Sequence, residues 1–226
     1  MVPKAVLVLV AVFSWVATAA ITLSVLTFGP GTPPGRDAGP GVILTPADPA
    51  PDAALPRYGL LPVFTLTDQD GQPFGLNDLR GKVWVVDTIF TRCTAICPTL
   101  AGGMKQIQSA LKRGGRFDDR VRLVSISLDG EHDSSDVLKQ YAKAYQAQPG
   151  RWIFLTGGRG EVWPLVQDGM KLPVEQTEPG NDVSILHSGK MLLIDKAGVI
   201  RGYYDGLTEA GRIELLADLR RLLDEG

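Results

Sequence analysis

Residues 83–90 read Val-Trp-Val-Val-Asp-Thr-Ile-Phe, almost continuously apolar or β-branched. That is the pattern of a strand covered on both faces, not of one with a wet side. The period then changes to helical. Leu100, Met104, Ile107 and Leu111 form one stripe behind Pro98, which suits a first helical position, and Gly114-Gly115 ends the helix. Val121 to Leu128 repeats the strand pattern. Asp133 or Ser134 is placed to cap a helix through Tyr145 whose Val137, Leu138, Tyr141 and Tyr145 share a face. Trp152 to Leu155 predicts a short strand, Arg159 to about Gln167 a helix interrupted by Pro164, and Asp168 to Lys190 a long irregular stretch. Met191 to Asp195 and Val199 to Tyr204, joined by Lys196-Ala197-Gly198, predict a hairpin, and Leu207 to Leu223 a closing helix. Upstream, Pro62 to Leu66 predicts a strand leading into a turn at Asp70-Gly71.

This β–α–β–α–β series followed by a hairpin and a helix predicts an α/β domain over 57–226. Its mixed central sheet is flanked by helices, the thioredoxin-like arrangement. Right-handed crossovers bring the loops after 83–90 and 121–128 to one edge of the sheet. Cys93, Cys97 and the loop around His132 are therefore expected to be neighbours.

The first 56 residues follow other rules. Ala5 to Phe28 carries no charge and as a helix would reach about 36 Å, more than a hydrocarbon core of about 30 Å. It predicts a single transmembrane anchor over 1–28. Ala17-Thr18-Ala19 offers the competing reading of a cleaved signal peptide, but the apolar run continues well past Ala19. Lys4 on the N-terminal side directs the rest of the chain to the extracytoplasmic face. Residues 29–56 hold half of the sixteen prolines and cannot bury enough apolar surface to fold, so they read as a semi-rigid tether. A net charge of −2 with both signs interspersed gives no electrostatic case for nucleic acid.

The chain has two cysteines, both in Thr91-Arg92-Cys93-Thr94-Ala95-Ile96-Cys97-Pro98. At a helix start, unpaired N–H groups and the helix dipole are expected to favour thiolate, and Arg92 adds positive charge. Two thiolates so placed could hold a soft metal, Cu(I) or Zn(II), or cycle between dithiol and disulfide. A third ligand would come from the two histidines, His132 and His187. His187 is the stronger candidate, because its irregular stretch approaches the cysteine loop in such a fold. Two thiolates and one imidazole suit three-coordinate Cu(I), whereas zinc would want a fourth ligand. Among the methionines, Met104 and Met191 fall on core faces and Met170 is open. Asp87, an ionisable residue inside an apolar strand, is costly unless used or paired. It stands six residues before Cys93, as in thioredoxins, which leaves two readings: a proton carrier beneath the cysteines, or an aspartate facing a polar crevice with a satisfied hydrogen bond.

Gly81 to Pro98, Val124 to Asp129, Trp152 to Gly157, and His187-Ser188 before a Leu-Leu-Ile-Asp strand together resemble the Sco/SenC family. The resemblance runs from about Tyr58 to the C-terminus. It implies a membrane-tethered, thioredoxin-fold copper chaperone that helps assemble the binuclear copper centre of cytochrome c oxidase. The copper ligands would be Cys93, Cys97 and His187, and the partner the copper-receiving oxidase subunit. Two positions depart from the family pattern. Asp129-Gly130-Glu131 stands where Asp-Pro-Glu is usual, and Leu186 where an acid often precedes the histidine.

Other chemistries remain open. A thiol–disulfide oxidoreductase acting on the cysteines of a copper-receiving partner would use Cys93 and Cys97 catalytically. Against general reductase activity, the loop is one residue longer than Cys-x-x-Cys, and His187-Ser188-Gly189-Lys190 replaces the thioredoxin proline segment. A peroxidase reading lacks its proline, since Thr91 stands there. A purely structural disulfide would close too short a loop to stabilise the fold much.

Overall fold

A computed structural model describes residues 54–116, 118–177 and 185–225. The expected anchor over 1–28 and nearly all of the tether lie outside the described residues. Among the described residues, no helix is long and apolar enough to cross a membrane.

In chain order the elements are β1 (Gly59–Leu60), β2 (Thr65–Asp68), β3 (Pro73–Gly75), α1 (Leu76–Leu79), β4 (Val83–Ile89), α2 (Cys97–Arg113), β5 (Val121–Ser127), α3 (Ser135–Ala144) and β6 (Trp152–Thr156). Then come α4 (Arg159–Pro164), a π-helical turn (Leu165–Gly169), β7 (Val174–Gln176), β8 (Ile185–His187), β9 (Lys190–Ile194), β10 (Val199–Asp205) and α5 (Glu209–Asp224). Eight strands form one sheet in the order β1-β10-β9-β4-β5-β6-β2-β3, and β7 and β8 pair separately. The β4–β5 and β5–β6 pairs are parallel and the other pairs of this sheet antiparallel, which gives the mixed sheet expected from the element series.

The continuous apolar run of β4 has the predicted cause. Every residue of β4 is buried, because helices cover both sides of the sheet. On one side Val83, Val85 and Ile89 pack with Leu100, Met104, Ile107 and Leu111 of α2 and with Leu215, Leu219 and Leu222 of α5. On the other, Trp84 and Val86 pack with Leu76, Leu79, Val162 and Met170. Each fully buried Leu or Met contributes about 2 kcal/mol, so the α2 stripe fixes that helix, and with it Cys97, on the sheet. Met170 is a core residue, and Met104 and Met191 are core as expected.

Several boundaries differ from the sequence reading. The strand expected over 62–66 runs instead from Thr65 to Asp68, and its turn is organised by Asp68, whose Oδ1 accepts from the N–H groups of Asp70 and Gln72 at 2.8 Å each. Residues 168–190, expected to be irregular, contain the antiparallel β7–β8 pair, with Val174 opposite His187. The cap of α3 is Ser134, whose hydroxyl accepts from Val137 N–H. Asp133 is turned elsewhere.

Candidate metal centre

The donor atoms of Cys93, Cys97 and His187 all lie within 4.8 Å of one another. They arrive from three directions. Cys97 is the first residue of α2, Cys93 sits in the loop between β4 and α2, and His187 ends β8. Cys97 is fully buried, Cys93 half-buried, and both thiols are free. His187 is 7 % exposed.

The imidazole is oriented at both nitrogens. Nδ1 lies 3.2 Å from the carbonyl oxygen of Ser188, which can only accept, so the ring proton belongs on Nδ1. The Thr88 hydroxyl stands 3.4 Å from the same nitrogen. Nε2 is then free to face Cys97 Sγ at 3.2 Å. The Phe90 ring meets the imidazole edge-on, with centroids 5.6 Å apart. Burial pushes the His187 pKa below its ordinary value, partly opposed by the Ser188 carbonyl. A neutral ring with Nε2 unprotonated is the ligand form.

Leu186 is 57 % exposed, as the strand alternation in β8 requires when His187 points inward. The histidine thus takes its support from Thr88 and Ser188 and not from the residue before it. The other departure is equally local. A Cβ on Gly130 would lie 1.9 Å from the Gly157 carbonyl oxygen, so this loop packs too closely for any side chain there.

The expectation of a lowered thiol pKa fails at Cys97. Burial pushes its thiol well above the ordinary value, and Cys93 and the nearby Asp87 charge push the same way. A helix N-terminus contributes about 0.3–1 kcal/mol, and desolvation of the fully buried sulfur exceeds it even though a hydrogen bond from the Phe90 backbone acts the other way. Nor is the Arg92 charge directed at the thiols. Its Nε and Nη2 donate to Asp129 Oδ2 at 3.2 and 2.7 Å.

Asp87 lies on the α2 side of β4 by the two-residue alternation with Val85 and Ile89, and it is 1 % exposed. Trp152 Nε1 donates to Ser125 Oγ at 3.0 Å, and Ser125 Oγ donates to Asp87 Oδ1 at 2.6 Å. Oδ2 has no hydrogen-bond partner among the described residues. Burial raises the Asp87 pKa to about 7, against the lowering effect of the Ser125 hydrogen bond.

His132 is exposed and stands apart from the three donors. Its loop does reach the cysteines, as the crossover argument required, but through neighbours. Thr91 N–H donates to Asp133 at 3.0 Å, and the Arg92–Asp129 ion pair joins the same two loops. Sequence reasoning found the three donors and missed Thr88, Ser188 and Asp133. Thr88 and Ser188 have no signal of their own in the sequence, while Asp133 was visible only as a possible helix cap.

Comparison with known proteins agrees with this geometry. The SCO1/SenC family profile matches residues 54–224. The SCO1 protein homolog of Bacillus subtilis is 32% identical over 158 residues, 70% of this chain and 79% of that protein. A solved SCO1/SenC family lipoprotein from Bacillus anthracis is 32% identical, with a TM-score of 0.66 over 72% of this chain and 94% of that one. BsSco, described as a member of the Sco family of cytochrome c oxidase assembly proteins with a disulfide switch, is 29% identical, with a TM-score of 0.65 over 74% of this chain and 95% of that one. With a matched segment that takes in the whole described sheet, both cysteines and His187, this chain belongs to the SCO1/SenC family.

Proposed function

We propose that this protein is a copper chaperone that carries Cu(I) on Cys93, Cys97 and His187 and passes it to the copper-receiving subunit of cytochrome c oxidase. The observation that carries the reading is the convergence of two thiols and one imidazole within 4.8 Å. Two soft sulfurs and one nitrogen favour Cu(I), and a three-donor set falls one short of a closed zinc site. Family membership and the assembly role described for BsSco support the same reading.

The residues divide the work. Burial keeps His187 neutral, and the Ser188 carbonyl keeps its free lone pair on Nε2. Cys97 gives up its proton when metal arrives. Half-buried Cys93 is the donor that an acceptor thiol can reach first. Transfer is ligand exchange: the acceptor's thiolates replace these sulfurs one at a time, the protons return, and no electron moves. In this reading residues 1–28 anchor the chain in the membrane, 29–56 tether it, and 57–226 form the copper-binding domain on the extracytoplasmic side. The lipoprotein relative supports membrane attachment. Extraction of membranes with alkaline carbonate tests the anchor, which should stay in the pellet.

Anaerobic Cu(I) titration of the reduced full-length chain in detergent, with X-ray absorption, tests the site. One tightly held Cu(I) with two sulfurs and one nitrogen is expected. His187→Ala should weaken it at least a hundredfold and His132→Ala should leave it unchanged; the reverse result refutes the ligand assignment. The second reading, a thiol–disulfide oxidoreductase acting on the acceptor's cysteines, rests on the two free thiols held close together. Weak Cu(I) binding together with rapid disulfide exchange would establish it instead.

A further inference from the structure

Asp133 is 0 % exposed, yet it neither caps α3 nor belongs to the donor set. It accepts three hydrogen bonds. Thr91 N–H donates to Oδ2 at 3.0 Å, Thr91 Oγ1 to Oδ1 at 2.5 Å, and Ser127 Oγ to Oδ2 at 2.5 Å. Ser127 Oγ in turn accepts from Asp129 N–H at 3.1 Å, and Asp133 N–H donates to the Asp129 carbonyl at 2.8 Å. A buried carboxylate satisfied by donors from two chain segments fixes those segments relative to each other. Here the segments are the end of β5 and Thr91, two residues before Cys93.

We propose that Asp133 is the positioning residue of the site: by clamping Thr91 to the β5–α3 loop, it holds Cys93 within reach of Cys97 and His187. The other two donors have their own supports, since Cys97 stands on α2 and His187 ends β8 beside Thr88. Cys93 lies in a segment, 92–96, with neither helix nor strand. Its place depends on where that segment is fastened. Besides Thr91, the segment is held by Phe90, 2 % exposed, whose carbonyl accepts from Cys93 N–H at 3.2 Å, and by the Arg92–Asp129 pair. From Thr91, two residues reach at most about 7 Å; from Phe90, three reach about 10 Å. Losing the clamp therefore opens a volume about three times larger to Cys93, and its effective concentration at Cys97 falls by about the same factor.

The inference rests on the copper-site reading for its metal consequence but has a metal-free readout. In the full-length protein, equilibration with glutathione disulfide transfers two electrons from Cys93 and Cys97. Cys93 thiolate attacks the glutathione S–S bond and releases one glutathione, then Cys97 thiolate displaces the second and closes the protein disulfide. Thr91→Val keeps the β-branched shape and the backbone N–H but removes one donor to Asp133; Asp133→Ala removes the hub. Asp133→Ala should form the Cys93–Cys97 disulfide about threefold less favourably, a midpoint about 14 mV higher, and should bind Cu(I) about threefold more weakly; Thr91→Val, which keeps the N–H contact, should shift both readouts the same way by less. Thr91→Ser restores the hydroxyl. Asp133→Asn can still accept from Thr91 N–H and Ser127 through its oxygen, while its NH2 donates to a rotated Thr91 hydroxyl, so both conservative variants should return near to the native values.

If Asp133→Ala matches the native protein in both readouts, the clamp does not position Cys93. A fall in thermal stability with an unchanged disulfide equilibrium would show a purely structural carboxylate and overturn the proposal. Equal damage from Asp133→Asn and Asp133→Ala would make charge the operative property, which also overturns it. Should the native protein bind no Cu(I), the chaperone reading fails and the glutathione equilibrium still decides the clamp.

Discussion

Replacing Asp87 with asparagine should make the metal-free, reduced protein more stable at pH 8 and change its stability little at pH 4. Burial raises the Asp87 pKa from 3.8 to about 7 in the folded chain. Between those values the native carboxyl holds a proton that the unfolded chain has released. Native-state protonation therefore stabilises the fold at low pH, and that contribution is lost as pH rises through about 7. A gap of about three pH units at about 1.4 kcal/mol each amounts to about 4 kcal/mol. Asparagine cannot ionise, so its advantage over the native residue should grow by about 1.4 kcal/mol per unit from pH 4 and level off near pH 7. The assay is urea denaturation of both proteins at half-unit steps from pH 4 to 8. Taking the difference between them cancels every other titrating group. Parallel stability curves would refute the assignment of a proton to buried Asp87, and with it a proton-carrying role beneath the thiols.

Cu(I) affinity should rise with pH by about tenfold per unit on account of Cys97 alone, because its buried thiol must release a proton to the solvent when metal binds. The slope of log affinity against pH, measured by chelator competition, should fall by about one in Cys97→Ser; an unchanged slope would refute it. Thr88→Val removes a hydroxyl from His187 Nδ1 but leaves the Ser188 carbonyl, so Cu(I) affinity should drop by less than tenfold, with both sulfurs and the nitrogen still seen by X-ray absorption. Arg201→Ala leaves Asp195 buried without its closest cation, and urea denaturation should show a loss of about 3 kcal/mol with unchanged Cu(I) affinity.

Those parts of the fold that depend on local pattern were legible in the chain. The apolar run of β4, the stripe of α2 with Pro98 at its start, and the hairpin of β9 and β10 could each be read from a single period. The β7–β8 pair could not, because two three-residue strands make too short an alternation to register and the segment between them is rich in Gly, Pro and polar residues. Four-residue α1 and two-residue β1 are short for the same reason. At the site, residue types and spacing pointed to Cys93, Cys97 and His187, since thiols and imidazoles are scarce in this chain and their chemistry is distinctive. What surrounds them was hidden. The dipole argument for Cys97 considered its own helix alone, whereas its ionisation is governed by burial and by Cys93 and Asp87, which other parts of the chain bring beside it. Asp133 looked like a cap because its tertiary partners, Thr91 and Ser127, come from other elements.

Arg201, 7 % exposed, donates through Nη2 to the Leu55 carbonyl at 2.8 Å and through Nε to the Pro56 carbonyl at 2.9 Å, while Nη1 pairs with Asp195 at 3.1 Å. This fastening sits near the start of β10. The far end of β10, at Asp205, lies opposite Lys190, three residues after His187. The four steps along β10 from Arg201 to Asp205 make about 13 Å. A force applied to the chain at Leu55 would therefore load Arg201 and Asp195 first, at the end of β10 away from Asp205. Tension in that direction would be borne by a buried ion pair and two carbonyl contacts, at the opposite end of β10 from the strand pair that leads to His187.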